Sequence, residues 1–61
     1  MDIKGKTAIV TGAASGIGRA TAVALAERGA AAIALVDVND IDLRETAGRV
    51  AAAGARATGH R

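Results

Sequence analysis

Residues 11–18 read TGAASGIG, and this glycine-rich segment decides how the chain folds. Immediately before it, residues 6–10 read KTAIV, a short apolar run that is typical of a buried strand. From Ile17 onward, apolar residues recur with a helical period. A chain that passes from a strand into a helix presents the unpaired N–H groups of the first helical turn, which attract anions. Residues 11–18 therefore predict a phosphate-binding turn.

The three glycines of this turn follow the pattern GxxxGxG and have different physical roles. Gly12 can adopt backbone angles that a Cβ atom forbids, Gly16 leaves the path of the phosphates open, and Gly18 lets the helix lie close to the sheet. Ser15 can donate its hydroxyl to a phosphate. A P-loop is excluded, because the residue five after Gly12 is Ile17 and no Lys follows in the turn.

Beyond the turn, the sequence predicts two helices and two further strands. The first helix is expected to bury an apolar stripe made of Ile17, Ala20, Thr21, Ala24 and Leu25, and to end at Gly29. The second helix, with Asn39 as its N-cap, is expected to bury Leu43, Ala47, Val50 and Ala51 and to end at Gly54. Residues 31–37 and 55–61 are the expected second and third strands.

Asp37 ends the second strand, 19 residues after Gly18. In dinucleotide-binding folds an acid about 20 residues beyond the glycines binds the adenosine ribose. A carboxylate there accepts hydrogen bonds from the ribose hydroxyls and repels a 2′-phosphate, so NAD is the expected cofactor in preference to NADP. Arg19 lies off the apolar stripe and is interpreted as a solvated helix residue rather than a phosphate clamp.

The order strand, helix, strand, helix, strand predicts an α/β fold. We expect a Rossmann-type, three-layer, doubly wound parallel sheet, of which this chain is the first β-α-β-α-β portion. Right-handed crossovers place both helices on one face, which leaves the other face and the outer edge of the first strand uncovered. Residues 1–61 are therefore expected to be the N-terminal part of a single NAD(P)-binding domain, incomplete and marginally stable by itself.

Composition excludes several other classes of protein. The 61 residues contain no Cys and one His, so neither a disulfide framework nor a zinc site is expected, and no metal ligand is assigned. The basic residues are scattered, aromatic residues are absent and the net charge is only +2, which argues against nucleic-acid binding. The longest apolar run, residues 30–36, is far shorter than the about 20 residues that span a bilayer, so a cytoplasmic protein without a membrane partner is expected.

The segments KTAIV, TGAASGIG and LVDVN together resemble the start of the short-chain dehydrogenase/reductase family, whose glycine motif is TGxxxGxG. The resemblance runs from about Gly5 to the end of the chain. It implies that the cofactor pyrophosphate is bound by Gly12, Ser15, Gly16, Ile17 and Gly18. It also implies that Asp37 marks a preference for NAD and that Val38 lies beside the adenosine. Ser15 and Val38 occupy places where members that prefer NADP often carry a basic residue.

The family's catalytic Ser and its Tyr-xxx-Lys pair match no residue of this chain, so no catalytic residue is assigned. The resemblance implies that the complete protein, expected to be a homo-oligomer, transfers a hydride between NAD(H) and an alcohol or carbonyl substrate, and that the 61 residues alone are inactive. Two alternatives stay open. One is a non-enzymatic dinucleotide-binding or scaffold protein, and the other is a different nucleotide user, such as a methyltransferase that binds an S-adenosyl cofactor through a similar turn.

Overall fold

Strands and helices alternate along the chain in the computed structural model, which describes residues 3–61. The elements are β1 (Thr7–Thr11), α1 (Gly16–Glu27), β2 (Ala32–Val36), α2 (Asp40–Ala52) and β3 (Arg56–His60). The strands form one parallel sheet in the order β1-β2-β3. α1 packs on β1 and β2, α2 packs on β2 and β3, and the helices contact each other, so both lie on the same face of the sheet. The predicted β-α-β-α-β order of a Rossmann-type fold is confirmed.

The core lies between β2 and the two helices. Ile33 and Leu35 of β2 are fully buried, as is Val50 of α2, and Leu43 is nearly so. Since the chain has no aromatic residue, alanines fill most of the remaining space. This core is therefore built from Ile, Val, Leu and Ala, the residue types that the composition predicts.

The prediction that β1 is a buried strand is wrong for three of its five residues, which are exposed. Val10 is buried and Ala8 is half-buried, whereas Ile9 is 73 % exposed. Successive side chains of a strand point to opposite faces of the sheet, and both helices cover the same face. The expected uncovered face is thus confirmed by Ile9, and β1 lies at an edge of the described sheet.

The predicted apolar stripe of α1 is also wrong, except at Leu25, which is half-buried against the core. The buried residues are Gly18, Ala22 and Ala26, while Ile17 is 85 % exposed. A Cβ atom on Gly18 would overlap the carbonyl oxygen of Gly12. The helix therefore contacts the turn through Gly18. This contact rotates α1 so that Ala22 and Ala26, which follow Gly18 at intervals of four residues, face the sheet.

α2 follows its prediction more closely. The Asn39 side chain accepts a hydrogen bond from the Asp42 N–H at 3.0 Å, which confirms it as the N-cap. Leu43 and Val50 are buried as expected, but Ala51 is exposed, and Thr46 is fully buried. Within residues 3–61, neither helix is long and apolar enough to cross a membrane.

Candidate functional site

The candidate site lies at the carboxyl ends of the strands. Thr11 and Val36 are paired in register, so the chain leaves β1 at Gly12 and β2 at Asp37 side by side. The turn is tied to β2 there by the Ala13 N–H, which donates to the Val36 carbonyl at 3.1 Å. The sheet thus brings together the glycine-rich turn and the acid, at the edge where ligands bind open α/β sheets.

Gly12 makes the sharp turn out of β1. Its φ of +65° lies in the left-handed region that disfavours residues with a Cβ atom. An added Cβ atom would approach no described atom more closely than the Ser15 Oγ, at 3.8 Å. Backbone conformation rather than lack of space therefore requires glycine at this position.

Gly16 and Gly18 differ in what surrounds them. At Gly18 an added Cβ atom would also lie 2.6 Å from the Gly12 carbonyl carbon, so the packing of helix against turn requires glycine. At Gly16 no neighbouring described atom lies within 4 Å of the same added atom, and φ is not positive. The described fold therefore does not require a glycine there, and the space beside Gly16 is open.

Ser15 is the N-cap of α1. Its Oγ accepts a hydrogen bond from the Gly18 N–H at 3.2 Å and donates to the Gly12 carbonyl at 2.7 Å. The hydroxyl therefore holds the turn closed, and its predicted bond to a phosphate stays a prediction. The capping role of Ser15 was not predicted, although a Ser just before a helical pattern is a common N-cap signal.

The first turn of α1 retains free anion-binding groups. Among residues 3–61, the N–H groups of Gly16 and Ile17 donate no hydrogen bond. This turn contains no acidic residue, whereas the first turn of α2 contains Asp40 and Asp42. Two N–H groups and the positive end of a helix dipole are therefore available beside the open space at Gly16.

Asp37 binds the turn directly. One carboxylate oxygen accepts from the Ala14 N–H at 2.9 Å, and the other accepts from the Val38 N–H at 2.7 Å and the Asn39 N–H at 3.1 Å. The N–H groups of Asn39, Ala14 and Val38 hold the pKa of Asp37 below its ordinary value of 3.8, against a smaller opposing effect of desolvation. The carboxyl is therefore ionised at neutral pH. Since an ionised carboxylate has about four acceptor positions, capacity for a ligand hydroxyl remains.

The sequence indicated Asp37 only as a ribose ligand and missed its bond to Ala14. Val38, which follows it, is 82 % exposed at the same edge of the sheet. Its apolar side chain is thus accessible to a ligand that binds there.

Arg19 is not the solvated residue that its position off the stripe suggested. Its side chain is only 23 % exposed and reaches across to α2. Its Nε donates to Thr46 Oγ1 at 3.0 Å and its Nη2 to the Asp42 carbonyl at 3.3 Å, while its Nη1 lies 3.6 Å from Glu45 Oε1. A hydrogen bond from Arg49, then the charges of Arg19 and Arg49, lower the pKa of Glu45. Arg19 therefore joins α1 to α2.

Thr46 was missed at the sequence level. Its buried Oγ1 lies 2.9 Å from the Ala13 carbonyl, inside the glycine-rich turn. The available signal was its spacing, because Thr46 lies three residues after Leu43 and four before Val50, on the buried face of α2. A hydroxyl on such a face requires a partner.

Residues 6–61 match the short chain dehydrogenase family. The chain belongs to this family. The short-chain dehydrogenase/reductase astE of Aspergillus oryzae is 50 % identical over 50 residues, which are 82 % of this chain and 19 % of astE. The dehydrogenase subunit BbsD of Thauera aromatica is 43 % identical over 61 residues, 100 % of this chain and 22 % of the subunit. The chain thus spans about a fifth of the length of these short-chain dehydrogenases.

Solved short-chain dehydrogenases share the fold. An NAD+-bound xylitol dehydrogenase is 41 % identical with a TM-score of 0.87, over 100 % of this chain and 23 % of that enzyme. A metagenomic short-chain oxidoreductase in complex with NADP is 37 % identical with a TM-score of 0.85, over 98 % of this chain and 27 % of that protein. Neighbours that hold NAD and neighbours that hold NADP therefore have the same β-α-β-α-β start, which supports a nicotinamide dinucleotide as the shared cofactor class.

Proposed function

We propose that this chain is the N-terminal, cofactor-binding part of a longer oxidoreductase, and that its glycine-rich turn and Asp37 bind NAD(H). The observation that carries the proposal is the pair of N–H groups at Gly16 and Ile17, which lack an acceptor among residues 3–61 and lie beside the open space at Gly16. A pyrophosphate supplies both the acceptors and the negative charge that this helix terminus favours. Family membership supports the same assignment.

Each part of the turn has a defined role in this proposal. Gly16 and Ile17 donate to the pyrophosphate, while Gly12, Gly18 and the Ser15 cap fix the turn that presents those donors. The exposed side chain of Val38 lies beside the adenosine. A bound nicotinamide would supply the hydride chemistry between an alcohol and a carbonyl, with the catalytic residues contributed by other parts of the complete protein.

The electrostatics of Asp37 support NAD in preference to NADP. Its pKa is lowered by backbone N–H groups, so the carboxylate carries its charge at neutral pH and repels a 2′-phosphate. Ser15 and Val38 occupy the two positions where a basic residue would attract the 2′-phosphate. A homo-oligomeric state and a cytoplasmic location stay predictions from the sequence.

Replacing Gly16 with Val in the complete oxidoreductase tests the site. An added Cβ atom at Gly16 meets no neighbouring described atom within 4 Å and enters the space proposed for the pyrophosphate. NAD affinity should therefore fall by about 100-fold while the melting temperature is largely kept. Gly48→Val is the matched control, because Gly48 lies in α2 and also has no neighbouring described atom within 4 Å of an added Cβ atom. Isothermal titration calorimetry with NAD measures both variants. A Gly16→Val protein that binds NAD as tightly as the wild type would refute the placement.

The reaction is tested separately by following NADH absorbance with a panel of alcohols and carbonyl compounds. NAD-dependent turnover supports the oxidoreductase. A complete protein that binds NAD but transfers no hydride to or from any of them would favour the non-enzymatic alternative, and tighter binding of an S-adenosyl cofactor would favour the methyltransferase.

A further inference from the structure

The Ala13 carbonyl in the glycine-rich turn accepts a hydrogen bond from the side chain of Thr46 in α2, 33 positions further along the chain. The residue Ala13 is fully buried, and Thr46 Oγ1, at 2.9 Å, is the hydrogen-bond partner of its carbonyl within residues 3–61. Thr46 is also fully buried. Because a buried carbonyl without a donor is costly, this bond fixes the orientation of the peptide that joins Ala13 to Ala14.

Arg19 determines where the hydroxyl proton of Thr46 points. An Arg Nε is only a donor, so the 3.0 Å contact occupies an acceptor position on Oγ1 and leaves the hydroxyl proton free to donate. Two carbonyls are in reach, those of Ala13 at 2.9 Å and Asp42 at 3.1 Å. The Asp42 carbonyl already accepts from Arg19 Nη2 and is the regular α-helical acceptor for the Thr46 N–H. The hydroxyl therefore donates to Ala13.

We propose that Thr46 is a positioning residue for the cofactor site, with Arg19 orienting its hydroxyl. The peptide between Ala13 and Ala14 is fixed at both ends, by Thr46 on its carbonyl and by Asp37 on its N–H. This peptide lies two peptide units before the one that carries the Gly16 N–H, so in this proposal its orientation, together with the Ser15 cap, directs the N–H groups of Gly16 and Ile17 toward the pyrophosphate. Thr46 acts only through the turn. The inference rests on the proposed NAD site.

The test compares Thr46→Val with Thr46→Ser in the complete oxidoreductase. Val keeps the shape of the side chain and removes its hydroxyl, whereas Ser keeps the hydroxyl. We expect Thr46→Val to weaken NAD binding by about tenfold, the effect of one hydrogen bond, with kcat at saturating NAD changed less than about twofold. Thr46→Ser should stay within about twofold of the wild-type affinity. Thr58→Val in β3 is the control, because its exposed hydroxyl contacts only His60 among the described residues.

A purely structural role would lower the melting temperature of Thr46→Val and leave the Kd for NAD unchanged at temperatures where the protein is folded. That result overturns the proposal. If Thr46→Val fails to fold, Arg19→Met is tested in its place. We then expect NAD binding to weaken by about threefold. Unchanged binding would overturn the proposal. Where both single variants fold, the double variant should bind NAD no more weakly than Thr46→Val alone. Both changes disrupt the same chain of hydrogen bonds, which runs from Arg19 through Thr46 to Ala13. A wild-type protein that does not bind NAD contradicts the proposed function itself.

Discussion

Gly18 is the residue for which the structure most sharply predicts the effect of a replacement. In Gly18→Ala, the new Cβ atom would overlap the Gly12 carbonyl oxygen and lie 2.6 Å from the Gly12 carbonyl carbon and 3.0 Å from the Ala13 Cα. All three are backbone atoms, so no change of rotamer relieves the overlap. Either the helix or the turn must therefore move by about 1 Å, because an overpacked contact that no rotamer change relieves is accommodated by a backbone shift.

The expected cost is the difference between two opposing effects. Overpacking costs about 1–3 kcal/mol or more, and an overlap with three backbone atoms belongs at the upper end. Ala gains up to about 1 kcal/mol over Gly inside a helix. A net loss of about 2 kcal/mol remains, which in a protein of about 250 residues lowers the melting temperature by about 4 °C. The displaced turn should also bind NAD more weakly.

Differential scanning calorimetry and NAD titration of three Gly→Ala variants separate these effects. Gly48→Ala meets no neighbouring described atom within 4 Å and should keep or raise the melting temperature with unchanged binding. Gly16→Ala should likewise be stable but bind NAD more weakly. Gly18→Ala should lose both stability and binding. A Gly18→Ala protein as stable as the wild type would show that helix and turn are not in the close contact argued for them.

Two further predictions concern charge. Asp37→Ala should weaken NAD binding and relax discrimination against NADP, as measured by the ratio of the two Kd values, and an unchanged ratio would remove Asp37 from the specificity argument. Because the folded-state pKa values of Asp37 and Glu45 lie below their ordinary 3.8 and 4.5, both carboxylates stabilise the fold above those values. The melting temperature should therefore be nearly constant from about pH 7 to 5 and fall below about pH 4.5, with a smaller acid-induced fall in Asp37→Ala than in the wild type at equal ionic strength.

The element order and bounds could be predicted because their signals are local. Every strand begins and ends within one residue of its predicted limits. Glycines follow each helix, and the period of the apolar residues changes at the turn. The Asn39 cap could be predicted for the same reason, since it depends on a residue only three positions away. The place of Asp37 at the end of the second strand was predicted in the same way, whereas its hydrogen bond to Ala14 was not.

The face of α1 could not be predicted from apolar spacing. Ile17 and Leu25 make the strongest hydrophobic pattern, yet a carbonyl across the turn determines which side of the helix meets the sheet. The pattern describes the side chains of one helix, whereas the rotation depends on a contact with Gly12. The motif already contained this information, because the reason for glycine at Gly18 was close helix–sheet packing. The close packing required at Gly18 is therefore a better guide to the buried face of α1 than the positions of its larger apolar residues.

Thr46 and Arg19 mark a second limit of sequence reasoning, since their partners lie 33 and 27 positions away. The bond from Asp37 to Ala14 spans 23 positions. The turn is therefore held in place by β2 and α2 as well as by its own glycines and the Ser15 cap, and a peptide of the turn alone would lack the first two supports. In the proposed site, the packing of β2 and α2 thus also orients the N–H groups of Gly16 and Ile17, so folding of this segment helps to preorganise the place proposed for the pyrophosphate.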